Sequence, residues 1–259
     1  MDLLLLVAVC LLAGASIGFV GGVLGIGGGL LAIPLLGLAF GMDQQLAQGT
    51  SLIMVLPAVL MTVRKYNQHD PIDLKAAAVG ALTAICLTWV GARLALGADP
   101  VLLRRVYAAF ILWVAAFYFF QTWRRRRRPA AGAAQAAPAK VFHPLWYALI
   151  GCLAGLTSGV FGVGGSVVVV PLLTTWFGLS QTRAQGLGLT MIIPGTVVAM
   201  ATYGAHGQAD WVVGVTMGLG SLLMVPYGVR LAYTLPEPRL KLTFACMLLV
   251  IMVLLLLSS

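Results

Sequence analysis

The chain's 259 residues are 61% hydrophobic and only 9% charged, with a mean hydropathy of +1.00, far too apolar for an ordinary soluble domain. A bilayer-spanning helix takes roughly 20 mostly apolar residues, so the length holds about ten of them and leaves no room for a soluble catalytic domain. Sixteen Lys and Arg against seven Asp and Glu give a net charge of +9, which in so apolar a chain is a topology signal at the cytoplasmic membrane face rather than a nucleic-acid footprint.

The opening stretch, MDLLLLVAVCLLAGAS, has the apolar run of a cleavable signal but carries Asp2 where a signal would be basic, so it reads as a retained first helix. Turn signals divide the first half into apolar segments at about 3–24, 27–40, 46–63, 73–96 and 101–123. RRRRRPAAGAAQAAPAK, residues 124–140, has no apolar periodicity and reads as a linker. Carrying an arginine through the bilayer centre costs about 2.5 to 3.5 kcal/mol on insertion scales, so the run stays cytoplasmic. Five more segments follow at about 142–161, 164–178, 183–203, 210–234 and 240–257. The expected organisation is a transmembrane half at 1–123, a basic linker at 124–140 and a second transmembrane half at 141–259.

Shifting the chain on itself by 137 residues aligns 14–93 with 151–230 without a gap, and 25 of the 80 pairs are identical. The shared positions include Gln48/Gln185, Tyr66/Tyr203, His69/His206, Asp73/Asp210 and Arg93/Arg230, which chance matching of Leu, Ala and Gly does not readily produce. Five segments per half is an odd number. With the linker inside, the halves are therefore expected to face opposite ways, as an all-α polytopic membrane protein of about ten spans in two inverted five-helix repeats. Thirteen of the sixteen basic residues then fall inside, and Arg93, Arg104 and Arg105 outside. The second segment of each half, at 14 and 15 residues, is short for a full span; if it only dips into the membrane and returns, the halves would be parallel instead and the charge count would have to be redrawn.

Those short segments follow GGVLGIGGG (21–29) and SGVFGVGGS (158–166). Serial glycine weakens a helix by about 1 kcal/mol per residue relative to Ala and permits positive φ, so the chain is expected to break here. A break inside hydrocarbon is tolerated only where the freed backbone faces protein or a water-filled cavity. Freed N–H groups and the helix dipole make an anion site that needs no basic side chain. Matched short, glycine-interrupted segments in two halves point to a transporter binding site, although small residues also let membrane helices pack closely. The candidates at the breaks are Gly25, Gly27, Gly28 and Gly29, with Gly162, Gly164, Gly165 and Ser166. No strand precedes the glycines and no Gly-Lys-Ser/Thr follows, so neither a dinucleotide nor a P-loop reading applies.

The paired G-x-G-G motifs, each followed by Pro-Leu-Leu, the Ala-Gln-Gly at 47–49 and again at 184–186, and the basic linker resemble the TauE/SafE (sulfite exporter, TSUP) family of bacterial membrane permeases. The resemblance implies a multi-pass protein of the bacterial inner membrane that transports sulfite, sulfoacetate or related organosulfonates, often outward. It implies no cofactor and no metal.

Gln48 and Gln185 open the third segment of each half, where an amide can donate to an anion's oxygens or cap the helix. Thr50, Ser51 and Thr190 offer further hydroxyls, each also able to bond its own helix backbone. His69, His206, Asp73 and Asp210 lie between the third and fourth segments, where His can couple protons and Asp can cap a helix. Arg93 and Arg230 can neutralise substrate or snorkel to headgroups. No ATP-binding signature is present, so transport would run on gradients. No HExxH or Ser/His/Asp arrangement supports an enzyme. The expected partners are a small anion, the bilayer and, as an open candidate, a second copy in a homodimer, with no nucleic acid. The alternative is a membrane component that relays sulfur through Cys10, Cys86, Cys152 or Cys246 without transporting it, or scaffolds a partner.

Overall fold

The computed structural model describes residues 3–126, 143–236 and 247. Among them are nine α-helices and no strand: α1 (Leu3–Leu24), α2 (Gly29–Phe40), α3 (Gln44–His69), α4 (Leu74–Leu96), α5 (Pro100–Arg126), α6 (Pro144–Phe161), α7 (Ser166–Trp176), α8 (Gln181–Ala205) and α9 (Trp211–Thr234). Seven are long and apolar enough to cross a membrane. Leu4, Leu12, Leu82 and Leu223 stand on the outer surface, Leu4 being 85% exposed, where a soluble protein would present polar groups. The chain is a multi-pass membrane protein.

The expected ten spans become seven long helices and two short ones among the described residues. At 1.5 Å per residue, the 12 residues of α2 and 11 of α7 reach roughly 17 to 18 Å, about half of a hydrocarbon core of about 30 Å. The tenth segment, 240–257, lies outside the described residues. α3 and α8 are longer than hydropathy indicated, at 26 and 25 residues, because Arg64–His69 is polar yet helix-forming and the first breakers are Pro71 and Gly207. α5 runs on to Arg126, so the first arginines of the basic run are helical.

Helix ends follow the repeat. Asp43 and Ser180 cap α3 and α8 by accepting from Leu46 N and Arg183 N. Asp73 and Asp210 cap α4 and α9, each accepting from two backbone N–H groups. Side-chain caps of this kind contribute about 1 kcal/mol apiece. Pro34 removes an intrahelical donor from α2, leaving the Leu30 carbonyl without its usual partner. The buried Tyr107 hydroxyl of α5 donates to that oxygen at 3.2 Å.

The halves do not pack as separate bundles. α1 lies along α9 and α6 along α4, so the first helix of each half pairs with the fourth of the other. Small residues make these crossings close. A Cβ at Gly18 would lie 2.5 Å from Ser221 Cα, and one at its repeat mate Gly155 would lie 2.4 Å from Ala84 O. Gly14 faces Met217 and Gly22 faces Val225, while Gly151 faces Gly80 and Gly159 faces Thr88. Numbers rise together along both pairs, so these helices run parallel. At the centre α3 packs on α8: Gln48 of α3 meets Tyr203 of α8, and Tyr66 meets Gln185, so these two run antiparallel.

Gly18→Ala and Gly155→Ala should each destabilise by about 1 to 3 kcal/mol, because the facing atoms are backbone and cannot step aside. Gly37→Ala, whose added carbon meets only Met42 O at 3.7 Å, should leave thermal unfolding in detergent unchanged or raised. Equal midpoints for all three variants would contradict this packing.

Candidate functional site

α1 and α6 both end in the glycine runs. Gly25, Gly27 and Gly28 have φ of 63°, 72° and 88°, and Gly162, Gly164 and Gly165 of 66°, 80° and 66°, values that L side chains rarely adopt. Both expected breaks are therefore present, and α2 and α7 start from them without a side-chain cap. The breaks sit against each other inside the bundle. A Cβ at Gly29 would lie 3.2 Å from both Gly162 O and Val163 Cα, and Ser51 Oγ of α3, which donates to Gln48 O of its own helix at 2.8 Å, also lies 3.3 Å from Gly162 O.

Two crossed clamps hold the tips. Tyr66 Oη donates to Gln185 Oε1 at 2.8 Å, and Gln185 Nε2 donates to the Leu24 carbonyl, the last of α1, at 2.6 Å. In the other half Tyr203 Oη donates to Gln48 Oε1 at 2.8 Å and also lies 3.0 Å from Gly159 O. All four side chains are fully or almost fully buried. Each glutamine reaches the break of the opposite half: Gly25 abuts Gln185, and Gly162 abuts Gln48. Neither amide caps its helix, because α3 and α8 begin a turn earlier. Sequence reasoning passed over the tyrosines, although Tyr66/Tyr203 is one of the repeat identities and signalled them.

The remaining hydroxyl candidates divide. Thr50 Oγ1 accepts from Asp210 N at 2.9 Å, which ties α3 to the α8–α9 turn. Thr190 Oγ1 donates to Gly186 O within its own helix. Ser166, the first residue of α7, is fully buried, and its Oγ has no hydrogen-bond partner among the described residues.

The two ends of the α3/α8 pair differ at their matching glycines, Gly186 and Gly49, although a cavity of about 180 Å³ also lies beside the start of α3, against α2 and α5. At one end a cavity of about 200 Å³ opens between the 70–73 turn and the start of α8, lined by Tyr66, Asp70, Ile72, Arg183, Gly186 and Tyr233 among others. Gly186 there has its nearest neighbours at 3.4 to 3.5 Å. At the other end the repeat mate of Gly186, Gly49, is blocked: a Cβ there would lie 1.7 Å from Gln208 O. The open end carries an Arg183–Asp70 ion pair, with Arg183 half exposed.

The charged candidates lie away from the breaks. His69 stacks on Tyr233 at 4.4 Å, and its Nδ1 is 3.0 Å from Lys65 O. His206 is the C-cap of α8, with Nδ1 2.7 Å from Thr202 O. Arg93 sits over the Trp89 ring at 5.5 Å, and Arg230 is exposed. Cys10, Cys86 and Cys152 are free and lie on three different helices. Cys246 lies outside the described residues.

The profile of the family described as Sulfite exporter TauE/SafE matches residues 10–255. A probable membrane transporter protein of Methanocaldococcus jannaschii is 25% identical over 66% of this chain and 63% of that protein, so the chain spans less than two thirds of that relative. One of Xylella fastidiosa is 24% identical over 85% of this chain and 82% of its own length. The probable membrane transporter protein YdhB of Bacillus subtilis is 24% identical over 92% and 94%. No solved structure gives a significant match. The chain belongs to the sulfite exporter TauE/SafE family, whose names describe membrane transporters and not enzymes.

Removing a clamp hydroxyl strands a buried amide oxygen. Tyr66→Phe should therefore lower stability by about 1 to 3 kcal/mol. In a double-mutant cycle with Gln185→Met the pair should couple by about 1 kcal/mol. Additive losses in chemical unfolding would show that the two side chains do not act together.

Proposed function

From that membership, we propose that the chain is a secondary transporter that carries a small sulfur-containing anion, such as sulfite, sulfoacetate or a related organosulfonate, out of the cell. It does so by alternating access between two inverted halves in the bacterial inner membrane. The observation that carries this reading is the convergence of the two glycine breaks inside the helix bundle. Helix starts there offer backbone dipoles to a negative solute with no lysine or arginine in contact. The antiparallel α3/α8 pair and the parallel α1/α9 and α4/α6 pairs support the inverted arrangement.

The difference between the two ends supports alternating access. Matching stations of the repeat hold an open vestibule at Gly186 and a packed turn at Gly49, the relation between the two gates of a rocking transporter. Exchanging them, with the 70–73 turn closing on Gly186 as the 208–210 turn withdraws from Gly49, exposes the breaks to the other side. The open end carries Arg64, Lys65, Lys75, Arg183 and Arg230, which the positive-inside rule assigns to the cytoplasm. An anion arriving from that side meets Arg183 first. Its partner Asp70 is a weak competitor, since exposed ion pairs contribute about 0 to 1 kcal/mol.

Purified protein in proteoliposomes should carry labelled sulfite or sulfoacetate down an imposed gradient, and Gly28→Leu or Gly165→Leu should abolish the flux while the protein still inserts. Flux of neither sulfur anion by the unsubstituted protein would overturn the substrate class. Arg183→Gln should raise KM severalfold at low ionic strength with kcat retained, a difference that salt erases. A salt-independent loss of kcat would remove the recruiting role from Arg183.

A further inference from the structure

Although helix order and pairing correspond in the two halves, the buried polar groups do not. Gly21 and Gly29 of the first half correspond to Ser158 and Ser166 of the second. Both serines are buried to 1% exposure or less, and neither Oγ has a partner among the described residues. They flank the α6–α7 break from its two sides: Ser158 O accepts from Gly162 N at 2.9 Å, and Ser166 N donates to Gly164 O at 2.8 Å. The Cβ direction of Gly21 leads to 2.8 Å from Gly28 N, just ahead of α2. Ser158 occupies the equivalent station ahead of α7 with a real hydroxymethyl group.

The glutamines differ in the same sense. Gln185 is spent on the first break, its Nε2 bound to Leu24 O and its Oε1 to Tyr66. Gln48 packs against Gly162 and its Oε1 accepts from Tyr203, but its fully buried Nε2 has no partner among the described residues. Buried donors in folded proteins are nearly always satisfied, and an unfilled set calls for a bound group. Three such donors belong to residues of the α6–α7 break, Ser158 before it, Ser166 at the start of α7 and Gln48 packed against Gly162, and the helix dipole at that start favours negative charge. All three donate and none carries a charge, which suits an acceptor-rich anionic head rather than a cation or an apolar group.

We propose that the transported anion is held off-centre, at the α6–α7 break alone, with its oxyanion head bonded by Gln48 Nε2, Ser158 Oγ and Ser166 Oγ at the start of α7. The α1–α2 break, whose stations hold Gly21, Gly29 and the engaged Gln185, is the strut against which this site is built. The assignment rests on the transport reading and adds to it which half binds and which side chains discriminate. The ligand class is a compact oxyanion head, sulfite or a sulfonate. A group without several exposed oxygens would leave the donors unfilled.

Binding of sulfite and of sulfoacetate to the detergent-purified chain, measured by titration calorimetry alongside the ligand-free melting temperature, tests this. Ser158→Ala and Ser166→Ala each delete a hydroxyl that has no partner among the described residues. Both should keep or raise the ligand-free melting temperature while weakening binding by roughly tenfold or more. Gly21→Ala, at the mate of Ser158, is a poor control because its Cβ meets backbone at 2.8 Å. Gln185→Met serves instead, and should lower the melting temperature while affecting affinity less than Gln48→Met does. Unchanged affinity in both serine variants would overturn the off-centre site and leave the transport reading standing. A fall in ligand-free melting temperature as large as that of Gln185→Met would mean the serines are structural, and would overturn it too. No binding of either anion by the unsubstituted chain, together with no flux, would overturn both.

Discussion

A peptide group inside a bilayer has no water to turn to, and that constraint governs this structure. Each glycine run frees backbone N–H and C=O groups at a depth where every one must find a protein partner or a ligand. The fold answers by sending a side chain from the opposite half into each break. Gln185 takes the last carbonyl of α1, Gln48 lies against Gly162, and each amide oxygen is fixed by a tyrosine from the far end of the partner helix. The same logic explains Tyr107, whose hydroxyl meets a carbonyl that Pro34 leaves open.

Because each break is completed by the other half, neither half can close its core alone. The crossed pairing of α1 with α9 and α4 with α6 has the same effect on the outer helices. Glycine at Gly14, Gly18, Gly151 and Gly155 lets those backbones approach closely enough, as dispersion-driven packing between membrane helices requires. A duplicated half that leans on its twin in this way places matching residues at two corresponding stations, Gly49 and Gly186 among them. In the proposed cycle, repeat mates exchange states through movements of the 70–73 and 208–210 turns. Ser158 and Ser166 stand where the first half has Gly21 and Gly29, so the halves differ in their buried polar groups, the difference on which the off-centre site is proposed.

The repeat was plain in the sequence because Gly, Gln, Tyr, His, Asp and Arg recur at one offset, and the helix ends from Leu24 to Leu96 fall within a residue of their mates. The glycine breaks were legible for a physical reason, since serial glycine has no better use than positive φ and close approach. Hydropathy misjudged α3, because an amphipathic last turn such as Arg64–His69 looks like loop to a measure that sees only apolarity. It also gave two spans where α2 and α7 reach half a membrane. Gln48 and Gln185 could be picked out, but not the difference between them. That difference depends on Leu24 O lying within reach of one amide while, among the described residues, no acceptor bonds the other, which no spacing encodes. Thr50 looked like a ligand and is tied to the turn before α9, a contact 160 residues away in the chain.

The central claim is that a negative solute is held where the two interrupted helices meet. A crystal structure of the chain grown with selenite, the heavier analogue of sulfite, tests it most directly, because anomalous scattering from selenium marks the anion without reference to the protein. A single peak at the start of α7, within hydrogen-bonding reach of Ser166 and Gln48, is the predicted result. Selenium found only beside Arg183 in the vestibule, with the breaks packed tight and empty, would contradict it.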